Sequence, residues 1–232
     1  MNDFNNILYN LNQEPIEFND YKYFDYGMRA NVYKKENIVL KIYKSDCLYK
    51  YYIKKDLFNK LKELNDKNIV KLYNYYYFLN SSINKILPID AYTMNYIKND
   101  NINLLTINKE YLLNTIDSLE NTCYNLSKNK IEIHDAHHSN IIFNNNGASI
   151  IDVDSFLLDK LRSTKKILLH NKKELLYYIK SKLKNEYYNL SEVENFYKLE
   201  KYLSFNLKNN ITDEIDKIYK EDTFYNSLKK YI

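Results

Sequence analysis

Residues 131–156, IEIHDAHHSNIIFNNNGASIIDVDSF, constrain this chain more than any other stretch. An acid, Asp135, is followed five residues later by an amide, Asn140. Two short apolar runs, IIF and SIIDV, then flank NNNG. An Asn-Gly pair between apolar runs is a strong hairpin signal, so the spacing predicts a hairpin over 141–152. It ends in a second acid, Asp152. Two oxygen ligands and a carboxylate base brought together in this way suit Mg²⁺-dependent phosphoryl transfer.

The 232 residues fit one domain, or two small lobes sharing a cleft. Apolar residues make up 45%, enough for a core, but 26 of them are Tyr, whose hydroxyls need water or a partner. The abundance of Asn, Lys, Ile and Tyr reads as AT-rich coding bias, so polar or aromatic runs alone carry no weight. Only two glycines stand against that bias, and Gly27 and Gly147 are therefore expected to answer backbone needs. Net charge is +4, with 34 basic and 30 acidic residues interspersed. Without a clustered basic face, no nucleic-acid partner is expected. Cys47 and Cys123 are far apart and form no metal-type pair. The first residues, MNDFNNILYN, lack the pattern of a signal peptide. No apolar run approaches the ~18 residues of a membrane span. These features together lead us to expect a cytoplasmic protein.

Along the chain, VYKK and IVLKIYK around Glu36-Asn37 predict a hairpin within 22–44. Leu57, Leu61 and Leu64 predict a helix over 46–65. Residues 68–78 and 85–97 read as two more strands. The polar segment KNDNIN (98–103) reads as a hinge. Leu112, Ile116, Leu119, Cys123 and Leu126 step by four and three, which lines one helix face. After the 141–152 hairpin, helices are predicted over 172–186, 191–206 and 212–231. Ser191 with Glu194 forms a capping box for the second, and Thr212 an N-cap for the third. A sheet-rich first part followed by a helix-rich second part predicts an α+β architecture.

The ordered motifs resemble the protein-kinase-like superfamily, in both its protein-kinase and aminoglycoside-phosphotransferase branches. The resemblance covers roughly residues 21–156. IHDAHHSN (133–140) is similar to the catalytic loop H-R-D-x-x-x-x-N, or H-G-D-x-H-x-x-N in the small-molecule branch. The resemblance makes Asp135 the catalytic base and Asn140 a Mg²⁺ ligand, with His137 at the small-molecule branch's own histidine. IDVDSF resembles an I-D-F-D variant of the D-F-G motif, with Asp152 as the second Mg²⁺ ligand. IVLK resembles V-A-I-K, which gives Lys41 the α- and β-phosphates. DYGMRANVY lies over the glycine-rich loop, with Gly27 at the middle glycine and Val32 over the adenine. NIVKLY (68–73) resembles the strand after the C-helix, and MNYIKND (94–100) the adenine-binding hinge. A helix acid should hold Lys41; Asp56 is the expected one and Glu63 the second choice.

The resemblance implies a bilobal protein-kinase-like fold with a small antiparallel-sheet N-lobe (1–97) and a short, mainly helical C-lobe (98–232). It implies ATP and Mg²⁺ as cofactors and a hydroxyl acceptor, either a protein Ser/Thr or a small molecule. His134 replaces the Arg or Gly before the base, Ile133 replaces the usual His, and no A-P-E motif follows IDVDSF. Asp154 is expected to cap a following helix, with a metal-ligand role as the less favoured alternative. Two other readings compete. A catalytically weak, kinase-like binding module is favoured by the thin glycine loop. An HD-type metal hydrolase would need a histidine upstream of His134, and there is none.

Overall fold

The computed structural model describes residues 8–9, 20–44, 52–78, 89–104, 107–135 and 137–188. The expected helices over 191–206 and 212–231, their caps and Cys47 lie outside these residues. Among the described residues, no helix is long and apolar enough to cross a membrane.

Among the described residues, the first half builds a six-stranded antiparallel sheet. Its strands are β1 (Leu8–Tyr9), β2 (Lys22–Tyr26), β3 (Ala30–Lys35), β4 (Ile38–Tyr43), β5 (Leu72–Phe78) and β6 (Ala91–Asn95), in the spatial order β1-β5-β6-β4-β3-β2. The β3–β4 hairpin turns at Glu36-Asn37 as the sequence predicts, with Glu36 at φ 49°. Strand period two gives β4 two faces. Val39 and Tyr43 enter the main core, while Leu40 and Ile42 pack with Tyr76 and Ala91 on the other side.

Helix α1 (Lys55–Leu64) lies within the expected 46–65. It buries Leu57, Phe58 and Leu61 and stacks Phe58 edge-on against Tyr75 at 5.3 Å. A left-handed Asn65 at φ 44° ends it. The expected strand over 68–78 begins only at Leu72, because Asn68–Val70 bond elsewhere. Val70 N donates to Ile150 O and Ile150 N donates to Asn68 O. The Asn68 side chain donates to Ser118 and Thr122 on the next helix. The sheet half is thus bonded to the helical half.

That helix, α2 (Lys109–Lys128), is capped by Asn108, whose side chain accepts from Glu110 N. All five residues of its expected apolar stripe are buried. Burial of each large side chain is worth about 1.5–3 kcal/mol. After β7 (Ile131–Glu132) and a 3₁₀ turn (His138–Asn140) comes the predicted hairpin of β8 (Ile141–Asn144) and β9 (Gly147–Ile150). Its turn residues are Asn145 and Asn146, and Gly147 opens β9 at φ +118°, where an L side chain would be strained. Tyr111 of α2 donates to Asn144 O and Gly147 O, and Asp100 accepts from Asn145 N. The irregular 98–103 segment is therefore tied to the hairpin tip.

Strand β10 (Leu157–Leu158) pairs with β7, and α3 (Thr164–Tyr188) follows. This helix starts eight residues before the expected 172. The Ser163 hydroxyl accepts from Lys166 N and caps it. Its buried stripe of Ile167, Asn171, Leu175, Tyr178 and Ile179 contains a polar residue, which hid the period. Asn171 is fully buried. It donates to Ile131 O and accepts from Ile133 N, so it holds β7 and the start of the following loop.

Asn171→Ala leaves a backbone N–H and a C=O buried without partners. It is expected to destabilise the fold by about 2–4 kcal/mol. Urea unfolding should show a lower midpoint at an unchanged slope.

Candidate functional site

The antiparallel registers place Val32 opposite Lys41 and Lys41 opposite Tyr92. Partners across antiparallel strands share a face, so these three side chains form a row across β3, β4 and β6. Tyr92 and Lys41 are buried and Val32 is half-buried against the same core.

The segment leaving the hairpin meets this row. Lys41 Nζ lies 3.0 Å from Asp152 Oδ1 and 2.5 Å from Asp154 Oδ2. Tyr92 donates its hydroxyl to Asp154 Oδ1 at 2.7 Å. The Asp154 side chain is 2% exposed, whereas that of Asp152 is 31% exposed. Burial pulls the Lys41 pKa down, but the Asp154 and Asp152 carboxylates more than offset this and leave it raised. Burial also pushes both acids up. The Lys41 ammonium reverses that for Asp152, which ends below the usual carboxylate range. Asp154, more deeply buried and beside Asp152, stays above it.

Asp56 does not hold Lys41. It is exposed in the first turn of α1, one residue before Leu57 turns into the core. Glu63 is exposed as well. The α1 side chain that reaches the row is Phe58, 6.0 Å from the Tyr92 ring. The lysine's partner is instead Asp154, which caps no helix: it lies in the turn before β10. The repeated acid in IDVDSF was its signal.

The loop after β7 carries Asp135 at φ 59°, a left-handed conformation that Asp adopts more readily than most residues. Its side chain is 53% exposed and lies 3.7 Å from Arg29, on the β2–β3 turn. Asn140 donates Nδ2 to Asp135 O at 3.0 Å and so closes the loop. The Asn140 carbonyl accepts from Ile151 N, and Ser155 donates to His134 O. The loop with Asp135 and the segment with Asp152 are thereby locked together. His137 starts the 3₁₀ turn and accepts from Ser139 N.

Gly27 sits in the β2–β3 turn, where its N–H donates to Ala30 O. An added Cβ would meet that oxygen at 3.5 Å, an ordinary contact, and its φ is outside the left-handed region. The backbone need expected of Gly27 is therefore absent within the chain itself.

The donor set suits a hard divalent cation. One ammonium faces two carboxylates, which leaves surplus negative charge. Both bonds to Asp152, from Lys41 and from Asp154 N, fall on Oδ1. Asn140 keeps its oxygen for a long 3.3 Å contact from Ser139. A second group, Glu132, His134 and His170, has ligand-type atoms within 4.8 Å of one another. There Arg162 lies 2.5 Å from Glu132 and already balances its charge, and His170 Nε2 donates to Ile133 O. This group is accounted for as a network under the loop.

No protein-family model matches the chain, and no curated protein matches it. Among solved structures, it is similar to the Cydia pomonella granulovirus kinase PK-1, with 18% identity and a TM-score of 0.44. That likeness covers 62% of this chain and 55% of the other, so the chain spans about half the length of that kinase. It is also similar to the Legionella pneumophila Lpg2603 kinase bound to IP6, with 18% identity and a TM-score of 0.46, over 94% of this chain and 83% of the other. The order of elements is itself that of a protein-kinase-like fold: an antiparallel sheet with one inserted helix, an irregular connection, a long helix, and then a loop and hairpin that return to the sheet's lysine.

Proposed function

We propose that the protein is a phosphotransferase that moves the γ-phosphoryl group of ATP to a hydroxyl, of a protein Ser/Thr or of a small molecule. The observation that carries this reading is the meeting of Lys41 with Asp152, 111 positions apart, beside a loop that holds Asp135 and Asn140. Those residue types serve phosphoryl transfer because its transition state is governed by positioning and charge. The reading divides the chain into lobes of residues 1–97 and 98–232, with the nucleotide between them.

In this reading Lys41 neutralises the α- and β-phosphates. Val32, in the same row, packs against the adenine, and the Gly27 turn covers the phosphates. Asp152 and Asn140 would hold Mg²⁺, which would supply positive charge to offset that of the transferring phosphoryl group. Asp135 orients the acceptor hydroxyl and accepts its proton. Its exposed side chain leaves room for an acceptor, and the closed loop fixes its backbone. Arg29 would have to release the Asp135 carboxylate for this, and their 3.7 Å separation makes that pair a weak one. The same contact supports the alternative, a kinase-like binding module with little turnover.

Three measurements test this reading, and turnover separates it from the binding module. Saturating Mg-ATP at about 100 times its Kd should stabilise the protein by about 2–3 kcal/mol. No stabilisation at millimolar nucleotide would refute nucleotide binding. Asp135→Asn should lower turnover by at least ~100-fold with nucleotide affinity largely kept. Parallel loss of both would remove its role as base. Asp152→Ala should abolish the Mg²⁺ dependence of ATP affinity, and an unchanged metal response would rule out that ligand. Labelled ATP incubated with cell extract would show whether the acceptor is protein or metabolite.

A further inference from the structure

We infer that Asp154 is the positioning residue for Lys41, and that helix α1 is not part of the lysine's lock. This rests on the reading of Lys41 as the phosphate-binding lysine and adds how that site is held. In protein kinases the lysine is held by a helix glutamate, and moving that helix controls activity. Here the holding acid comes from the turn that also supplies Asp152.

Four observations support the assignment. Asp154 Oδ2 is the nearer of the two carboxylate oxygens to Lys41 Nζ, at 2.5 Å against 3.0 Å for Asp152. Its side chain is almost wholly buried, so water does not compete for it. Its other oxygen accepts from Tyr92, whose β6 position is opposite Lys41 in the sheet register. The carboxylate is thus oriented by the sheet that carries the lysine. Finally, α1 presents Phe58 to Tyr92 and leaves Asp56 and Glu63 exposed. No charged group of the helix has to move for Lys41 to be engaged. A buried acid of this kind is costly unless paired, which suits it to a fixed position rather than to a moving switch.

The division of labour follows from exposure. Asp154 holds the ammonium from the interior, while the more open Asp152, which bonds it through Oδ1 alone, keeps its other oxygen for the cation. Displacing α1 would disturb packing around Phe58 but would not remove a charge from Lys41.

The test combines an unfolding cycle with kinetics on the full chain. Urea unfolding of Lys41→Met, Asp154→Asn and the double variant should show coupling of at least about fivefold in the unfolding constant. The same cycle between Lys41→Met and the pair Asp56→Asn/Glu63→Gln should show none. In turnover assays, Asp154→Asn should raise KM for ATP by about tenfold, whereas the Asp56→Asn/Glu63→Gln pair should leave KM and kcat within about twofold. If Asp154→Asn does not fold, Tyr92→Phe reads the same carboxylate through its other bond, and a smaller rise in KM is expected. Coupling of Lys41 to the α1 acids, or a fall in kcat with KM unchanged in Asp154→Asn, would overturn the proposal. If the wild type neither binds nor turns over ATP, the phosphotransferase reading fails. The unfolding cycle still reports in that case whether Asp154 holds Lys41.

Discussion

The Lys41 ammonium sits between the carboxylates of Asp152 and Asp154, and the geometry of the site depends on this contact. It joins a strand in the middle of the sheet to a turn that follows the second hairpin. Backbone bonds between Asn68–Val70 and Ile150 run alongside it. The charged contact therefore forms where the two halves already adhere, and the apolar packing behind it excludes water from Asp154. A single ammonium cannot neutralise two carboxylates. Of the two acids, solvent reaches Asp152 and not Asp154.

Support for the loop with Asp135 is layered. Asn171 fixes the strand and chain below it, His170 adds a bond to Ile133 O, and Arg162 with Glu132 closes the network from the side. Above, Asn140 and Ser155 bind the loop's carbonyls. A left-handed Asp135 is tolerable because its neighbours determine the backbone on both sides. The exposed Asp135 carboxylate then stands on a backbone held from both sides.

Much of this was legible from residues alone. The β3–β4 turn at Glu36-Asn37, the apolar stripe of α2 and the hairpin around Gly147 each follow a local rule: turn chemistry, a 3.6-residue period or the freedom of glycine at positive φ. The early start of α3 was hidden because Asn171 interrupts its apolar period, and its burial is explained only by bonds to residues some forty positions earlier. Gly27 misled in the opposite sense, since its rarity suggested a backbone constraint that the turn does not impose.

The order and spacing of Lys41, Asp135, Asn140 and Asp152 were set by the sequence itself, because each lies in a short motif whose residue types carry their own chemical meaning. The acid that faces the lysine was decided only in three dimensions. Sequence distance favoured Asp56 on the helix, but the orientation of α1 depends on which side chains the sheet can bury. Phe58 took the inward place, and the charge was left to Asp154, brought in by a hairpin more than a hundred residues from the lysine.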